Sequence, residues 1–258
     1  MSTAHSFQTG KLALVLSNRL GDTLYQMTLA NNLRKAGRDL TVEGEVSLNR
    51  YGSGTEPGAG LTVAHDLNDH WQLGGGVAYR SRETPLRALN NGIHANRLDT
   101  YARWRADERR EWRLGVSPSR FSDGNQRVEW TAQGRERLYT APRLWLDALV
   151  DASASRNSRD GAPYFNPRSD LSVLPALRGT HILHRRYETV WQHHLTVGVG
   201  SYAQRGFGVG AVGLWEYGHR FRMNDVFELG ASLSGLTRPY DGQRERDLRV
   251  AFDLTYRF

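Results

Sequence analysis

Apolar and polar side chains alternate along most of this chain with a period of two. In Leu40-Thr-Val-Glu-Gly-Glu-Val-Ser-Leu48, the residues Leu40, Val42, Val46 and Leu48 fall on one side, and Thr41, Glu43, Glu45 and Ser47 on the other. The final segment repeats the pattern. Leu248, Val250, Phe252, Leu254, Tyr256 and Phe258 alternate with Asp247, Arg249, Asp253 and Arg257. A helix cannot separate those two sets onto opposite faces, whereas a strand does so automatically. Segments of this kind occur over 7–17, 22–32, 40–50, 58–67, 71–81, 96–106 and 111–121. They continue over 126–136, 143–155, 171–183, 188–202, 208–219, 226–237 and 244–258. Each approaches the ~10 residues with which a tilted strand crosses a bilayer.

The connections alternate in length. With the C-terminus on the periplasmic side, 67–70, 106–109 and 184–187 are short inner turns, and 82–95 and 156–170 are the longest outer loops. Trp71, Trp104, Trp112, Trp191, Trp215, Tyr217, Phe227, Tyr256 and Phe258 are expected at the periplasmic ends as an interfacial girdle. The reading is all-β: an antiparallel transmembrane barrel of a Gram-negative outer membrane, filling residues 1–258 with about fourteen strands.

Composition changes this picture little. No run approaches 18 consecutive apolar residues, so no transmembrane helix is expected. The mean hydropathy of −0.59 would suit a soluble domain, but only alternate barrel residues meet lipid. There is no cysteine, hence no disulfide or thiolate ligand. The formal charge is +7, carried almost wholly by arginines spread along the chain, with lysine only at Lys11 and Lys35. Nucleic-acid binders gather such charge into a patch, so no nucleic-acid partner is expected. Residues 1–7 lack the basic start and apolar core of a secretion signal. The chain is therefore expected to be a mature domain or part of a longer precursor.

Candidate chemistry is sparse. His181, His184, His193 and His194 flank an expected turn, yet no third carboxylate ligand or cysteine accompanies them, so they read as turn and interface histidines rather than a metal site. Gly206-Phe-Gly-Val-Gly-Ala-Val-Gly213 lacks the Lys-Ser/Thr of a phosphate loop and lies in an alternating segment, where glycines let a strand bend or leave lumenal room. No Ser/His/Asp set has supporting context, so no enzyme and no cofactor is expected. A barrel lipid enzyme is the third alternative, behind a general diffusion porin. Alternation turns Glu43, Glu45, Asp99, Glu129, Asp147, Asp151, Glu216, Glu228 and Asp253 inward, together with Arg97, Arg103, Arg105, Arg127, Arg135, Arg178 and Arg249. Two readings stand: ladders of both signs that brace a wet lumen, or a lining that guides a polar or cationic polymer.

Several stretches resemble the barrel of the poly-β-1,6-N-acetyl-D-glucosamine export porins, the PgaA/HmsH family. They are Thr84-Pro-Leu-Arg-Ala-Leu89, Gly92-Ile-His-Ala-Asn96, Phe121-Ser-Asp-Gly-Asn125, Tyr164-Phe-Asn-Pro-Arg-Ser-Asp170 with Leu171-Ser-Val-Leu-Pro175, and Arg186-Tyr-Glu-Thr-Val-Trp191. The resemblance covers roughly 80–258 and implies sixteen strands behind a periplasmic helical-repeat domain, which is not seen in this chain. It implies export of a partly de-N-acetylated glucosamine polymer for the biofilm matrix. The implied partners are that exopolysaccharide, outer-membrane lipid and lipopolysaccharide, and a periplasmic polysaccharide deacetylase. An acidic lumen would attract the polymer's ammonium groups, although the inward arginines argue against a uniformly acidic pore. The 82–95 loop is expected to carry a short helix over 84–89, with Arg87 on it. Tyr164, Phe165 and Asn166 sit in the other long loop, where aromatic faces could stack on sugar rings or pack the loop itself.

Overall fold

A computed structural model describes residues 6–19, 22–35, 39–51 and 54–257, with side chains described over 39–50 and 54–256. The described residues form fourteen strands and one short helix. The strands are β1 (Ser6–Arg19), β2 (Asp22–Lys35), β3 (Leu40–Tyr51), β4 (Gly54–Asp66), β5 (Trp71–Tyr79), β6 (Ala95–Arg105) and β7 (Arg110–Phe121). They continue as β8 (Gln126–Thr140), β9 (Leu144–Asn157), β10 (Ser169–Arg186), β11 (Thr189–Gln204), β12 (Gly208–Met223), β13 (Phe227–Tyr240) and β14 (Gln243–Arg257). The helix α1 (Leu86–Asn90) lies between β5 and β6. Each strand pairs antiparallel with its sequence neighbours, and β1 pairs with β14, so the sheet closes. All fourteen expected segments are strands. The count is two below the sixteen that the family resemblance implies.

The period of two decides which face meets which solvent. Val46, Leu61, Val77, Leu98, Leu114 and Val116 are all well exposed and share the outer face through the pairs Leu61↔Val77, Val77↔Leu98 and Ala102↔Leu114. Such a band would be a liability in water; against acyl chains it is the stable arrangement. The opposite face carries the charged and polar side chains, with an apolar patch of Leu149, Leu174, Leu214 and Leu236 on β9 to β13.

Turn chemistry fixes the inner ends. Asn68 Oδ1 accepts from the backbone N–H of His70 and of Trp71, both at 2.9 Å. Asp107 Oδ1 does the same for Arg109 (2.7 Å) and Arg110 (3.0 Å). Those two backbone donors, aided by the neighbouring guanidinium charges, hold the Asp107 carboxyl below its usual range. Asn224, at φ 55°, accepts from Val226 N. Short side-chain acceptors thus complete turns whose backbone could not do so alone. The third expected turn is shorter than 184–187: β10 runs to Arg186, and only Tyr187 (φ 51°) and Glu188 bridge to Thr189. A bulge between Ile182 and His184 accommodates the longer strand.

The aromatic girdle holds in part. Trp71, Trp104 and Trp112 are paired in one row across three strands, and Phe227 faces Tyr256, all at the inner ends. Trp215 and Tyr217 do not belong there: they lie eight and six residues before the end of β12, well within the wall. Trp130 sits five residues into β8 at the outer end, 45% exposed, and was not expected. Phe258 lies outside the described residues. The α1 helix starts two residues later than expected, because Pro85 occupies its cap position rather than its first turn.

Three outward or inward rings rest on glycines of the facing strand: Trp112 on Gly134, Trp215 on Gly235 and Tyr101 on Gly74. At Gly134 a Cβ would stand 2.7 Å from the Trp112 ring, so the pair fits only without one. Gly134→Val should displace Trp112, cost about 1–3 kcal/mol, and show as a lower urea midpoint in micelles with altered tryptophan emission.

Candidate functional site

The strand register turns all nine expected carboxylates toward the lumen. Glu43 and Glu45 lie on β3; Asp99 pairs with Gly76, Glu129 with Ser117, Asp147 and Asp151 with Arg137 and Gln133, Glu216 with Thr196, and Asp253 with Gly230. Glu228, opposite Arg222 and Thr255, completes the set. The seven expected inward arginines share that face. What register alone does not reveal is how thoroughly the two signs engage each other. Arg97 donates to Asp99 (2.7 Å) and to Glu129 (2.9 Å). Arg137 clasps Asp147, the carboxylate 5% exposed, with Nε to Oδ1 at 2.7 Å. Glu216 receives Arg178 at 3.2 Å and faces His194 Nε2 at 2.8 Å. Arg220 meets Glu228 at 3.2 Å, and Asp151 accepts from Gln133 at 3.0 Å.

The charges are not evenly spread. Among the described residues, the inner faces of β3, β4 and β5 carry Glu43, Glu45, Glu56 and Asp66 but no arginine or lysine. Gly58, Gly60, Gly74 and Gly76 share this arc, so it is recessed as well as acidic. The neighbouring arc, β6 to β8, turns in Arg97, Arg103, Arg105, Arg113, Arg127, Arg135 and Arg137 against Asp99, Glu111 and Glu129. A cavity of about 440 Å³ lies between the two arcs, bounded by Glu43, Glu45, Asp99, Arg97, Arg113 and Tyr101. Arg82, from the loop after β5, reaches Glu45 at 3.3 Å and ties that loop to the acidic arc.

The long loops close over the outer end. Tyr164 stacks on Phe121 at 5.1 Å within a cluster that includes Ala88 and Ala95. Asn125 Nδ2 donates to Tyr164 Oη and to Asn157 Oδ1, each at 3.0 Å, and Tyr164 donates to Asp123 at 3.2 Å. Burial foremost, with the Asp123 charge adding, pushes the Tyr164 hydroxyl up to about 12, so it stays a donor. Phe165 crosses to the other side of the mouth and packs with Tyr202, Val212 and Tyr240. Its ring centroid is 3.6 Å from that of Tyr240. Of the two roles open to Tyr164 and Phe165, loop packing is the one their burial fits: they are 4% and 6% exposed. Asn166 caps its own loop through Arg159 O at 2.9 Å, and Arg87 is exposed on α1.

Sequence reasoning missed Asn125, Tyr202, Tyr240 and Arg238. Tyr240, just before an Asp-Gly turn, carried a usable signal; Arg238 carried none, since its setting is created by a loop arriving from elsewhere. The histidines divide. His181 and His193 approach at 3.3 Å on the outer face, His219 stacks on His193 at 5.8 Å, and His194 faces inward. Among the described residues no three ligand side chains converge on a metal position. The glycine stretch serves a turn first: Gly206 and Gly208 have φ of 92° and 78°.

Comparison with known proteins adds the following. Residues 21–258 match the family model described as "PgaA membrane beta barrel domain". The chain is 37% identical over 221 residues to the "Poly-beta-1,6-N-acetyl-D-glucosamine export protein" of Escherichia coli (strain K12), covering 86% of the chain and 27% of that protein. It thus spans about a quarter of the length of the curated relative. Among solved structures it is similar to a "Bacterial polysaccharide outer membrane secretin", with a TM-score of 0.86, 30% identity, and coverage of 97% of this chain and 98% of that one. An outer membrane protein of Vibrio cholerae, OmpT, matches at TM-score 0.51 and 8% identity, with coverage of 100% and 99%, a likeness of fold alone.

Two outcomes follow. Asp147→Ala would strand Arg137 against the wall and should cost about 3 kcal/mol, read as a lower unfolding midpoint in micelles. Phe165→Ala should free the second loop, raising single-channel conductance and speeding proteolysis within 158–168.

Proposed function

The chain belongs to the PgaA membrane beta barrel domain family, and from that membership we propose that it is the outer-membrane conduit for partly de-N-acetylated poly-β-1,6-N-acetyl-D-glucosamine. The barrel is an outer-membrane transporter domain, not an enzyme. The observation that carries the proposal is the recessed acidic arc of β3 to β5, with Glu43 and Glu45 at its centre and no cation on those inner strand faces among the described residues. A polymer with occasional ammonium groups gains screened Coulomb attraction along such an arc without being held by it, since charges separated by water interact by about 1 kcal/mol at 4 Å. The paired ladders elsewhere brace the wall; within the arc Glu45 meets Arg82 and Glu56 meets Arg80, both from beyond the end of β5 and not from the strands themselves.

The reading extends to partners outside the chain. The curated relative is about three times as long, and a periplasmic helical-repeat domain in that extra length, with a periplasmic polysaccharide deacetylase engaged there, is part of the proposal and rests on the family resemblance. Lipopolysaccharide is proposed as a contact of the outer wall, where Arg120 and Arg156 point outward, exposed, at the outer ends of β7 and β9.

Secreted polymer, quantified in a strain lacking the gene and complemented in trans, tests the proposal. The triple reversal Glu43→Lys, Glu45→Lys, Asp253→Lys should reduce secretion at least about tenfold, given like-charge repulsion on the order of 1 kcal/mol per site, while heat-modifiable migration confirms barrel assembly. Undiminished secretion in the deletion strain would reject export; undiminished secretion by the assembled triple variant would reject the acidic arc. A general diffusion porin would pass small solutes in bilayers with no block by added glucosamine oligomers.

A further inference from the structure

A second lumenal space lies further out, beneath the loop that precedes β6. It measures about 190 Å³ and is bounded by Arg97, Arg127, Arg238, Glu129, Asp170 and Phe165, among others. That is below the ~300 Å³ at which sites for drug-sized ligands begin, so it suits one ring rather than a length of chain. Its formal charges cancel: three arginines face Glu83, Glu129 and Asp170. Two of these carboxylates are already engaged, while Glu83, 62% exposed, has only Arg82 at 3.7 Å. Glu129 receives Arg97 at 2.9 Å, and Asp170 receives Ser155 at 2.5 Å and Tyr202 at 2.8 Å. Two of the guanidinium groups are not. The Nε–H of Arg127 and the Nε–H of Arg238 are buried and bond to no protein atom. Buried donors are rarely left so, and both belong to side chains that line this cavity, where a small shift of either guanidinium would bring it to an acceptor supplied from outside. Arg238 also lies over Phe165 and Tyr240, at 5.8 and 5.1 Å from their ring centres.

We propose that this cavity is an exit subsite for a single N-acetylated hexosamine residue, with Arg127 and Arg238 as the residues that favour it over its de-N-acetylated counterpart. The inference rests on the export reading above. A neutral acetamidosugar offers what the site lacks, a carbonyl and hydroxyl oxygens as acceptors, and an apolar ring face for the aromatic rim. Glucosamine loses the carbonyl and brings an ammonium beside three guanidinium groups, and the carboxylate least engaged, Glu83, is the one turned most to solvent. The conduit would then have two zones of opposite preference: the acidic arc drawing ammonium groups inside, the outer subsite reading acetylated ones.

The test is calorimetric binding to the detergent-solubilised chain of short β-1,6-linked N-acetylglucosamine oligomers and of the same oligomers fully de-N-acetylated. The native chain should bind the acetylated set about tenfold more tightly, as expected for one charge-assisted hydrogen bond gained. Arg127→Gln/Arg238→Gln should bring that ratio to within about twofold, and Ser153→Phe, which fills the cavity by bulk, should do likewise if the double variant does not assemble. Glu43→Gln/Glu45→Gln should keep the preference. Equal binding of both oligomers by the native chain, or a preference that survives in the assembled variants, overturns the subsite and leaves export standing. Failure of both oligomers to bind overturns the subsite, and export is then decided by the secretion assay alone.

Discussion

In hydrocarbon there is no water to satisfy a backbone N–H or C=O, and each one left unpaired costs several kcal/mol. That constraint governs the whole molecule. It requires every strand to pair on both edges, which is why β1 must meet β14, and it forbids irregular backbone anywhere but at the two rims. Once the ladder closes, alternation does the rest: one face is surrendered to acyl chains and must be apolar, and the other encloses water and can carry charge. The two apolar clusters that resemble a protein core, around Phe121 and around Phe165, therefore lie at the mouth, where loops fold over the opening, and not in the middle of the wall.

The inner surface solves a second problem. A charged side chain inside a barrel of this width is partly shielded from water, and pairing it is cheaper than leaving it alone. Arg97 with Asp99 and Glu129, and Arg137 with Asp147, are such pairs; Arg97–Asp99 lies along β6, Arg97–Glu129 reaches the next-but-one strand, and Arg137–Asp147 joins neighbours. They also stiffen the arc they occupy. The β3 to β5 arc has glycines where β6 turns in Asp99 and Tyr101, so the two sides of the lumen differ in relief as well as in sign.

The wall was legible in the sequence because its signal is strictly local. Leu40 to Leu48 announces both its strand and its facing without reference to any other part of the chain, and the inward carboxylates follow by counting in twos. What was not legible depends on distance. Trp215 has the chemistry of a girdle residue but sits mid-wall, because only the length of β12, fixed by its neighbours, says how deep it lies. Tyr164 and Phe165 looked available for sugar rings until their partners, Phe121 and Tyr240, were brought to them from strands some forty and seventy-five residues away. Arg238 and Arg127, more than a hundred residues apart, share a cavity for the same reason. Short-range pattern sets a barrel's architecture, whereas its mouth is assembled by long-range encounters that no periodicity encodes.

The tether between Arg82 and Glu45 joins two things that would otherwise be independent, the cover and the trough beneath it. Any cation sliding up the trough competes for the same carboxylate that holds the cover down. A pair this exposed is worth no more than about 1 kcal/mol, so cover and trough share a weak anchor and not a fixed joint.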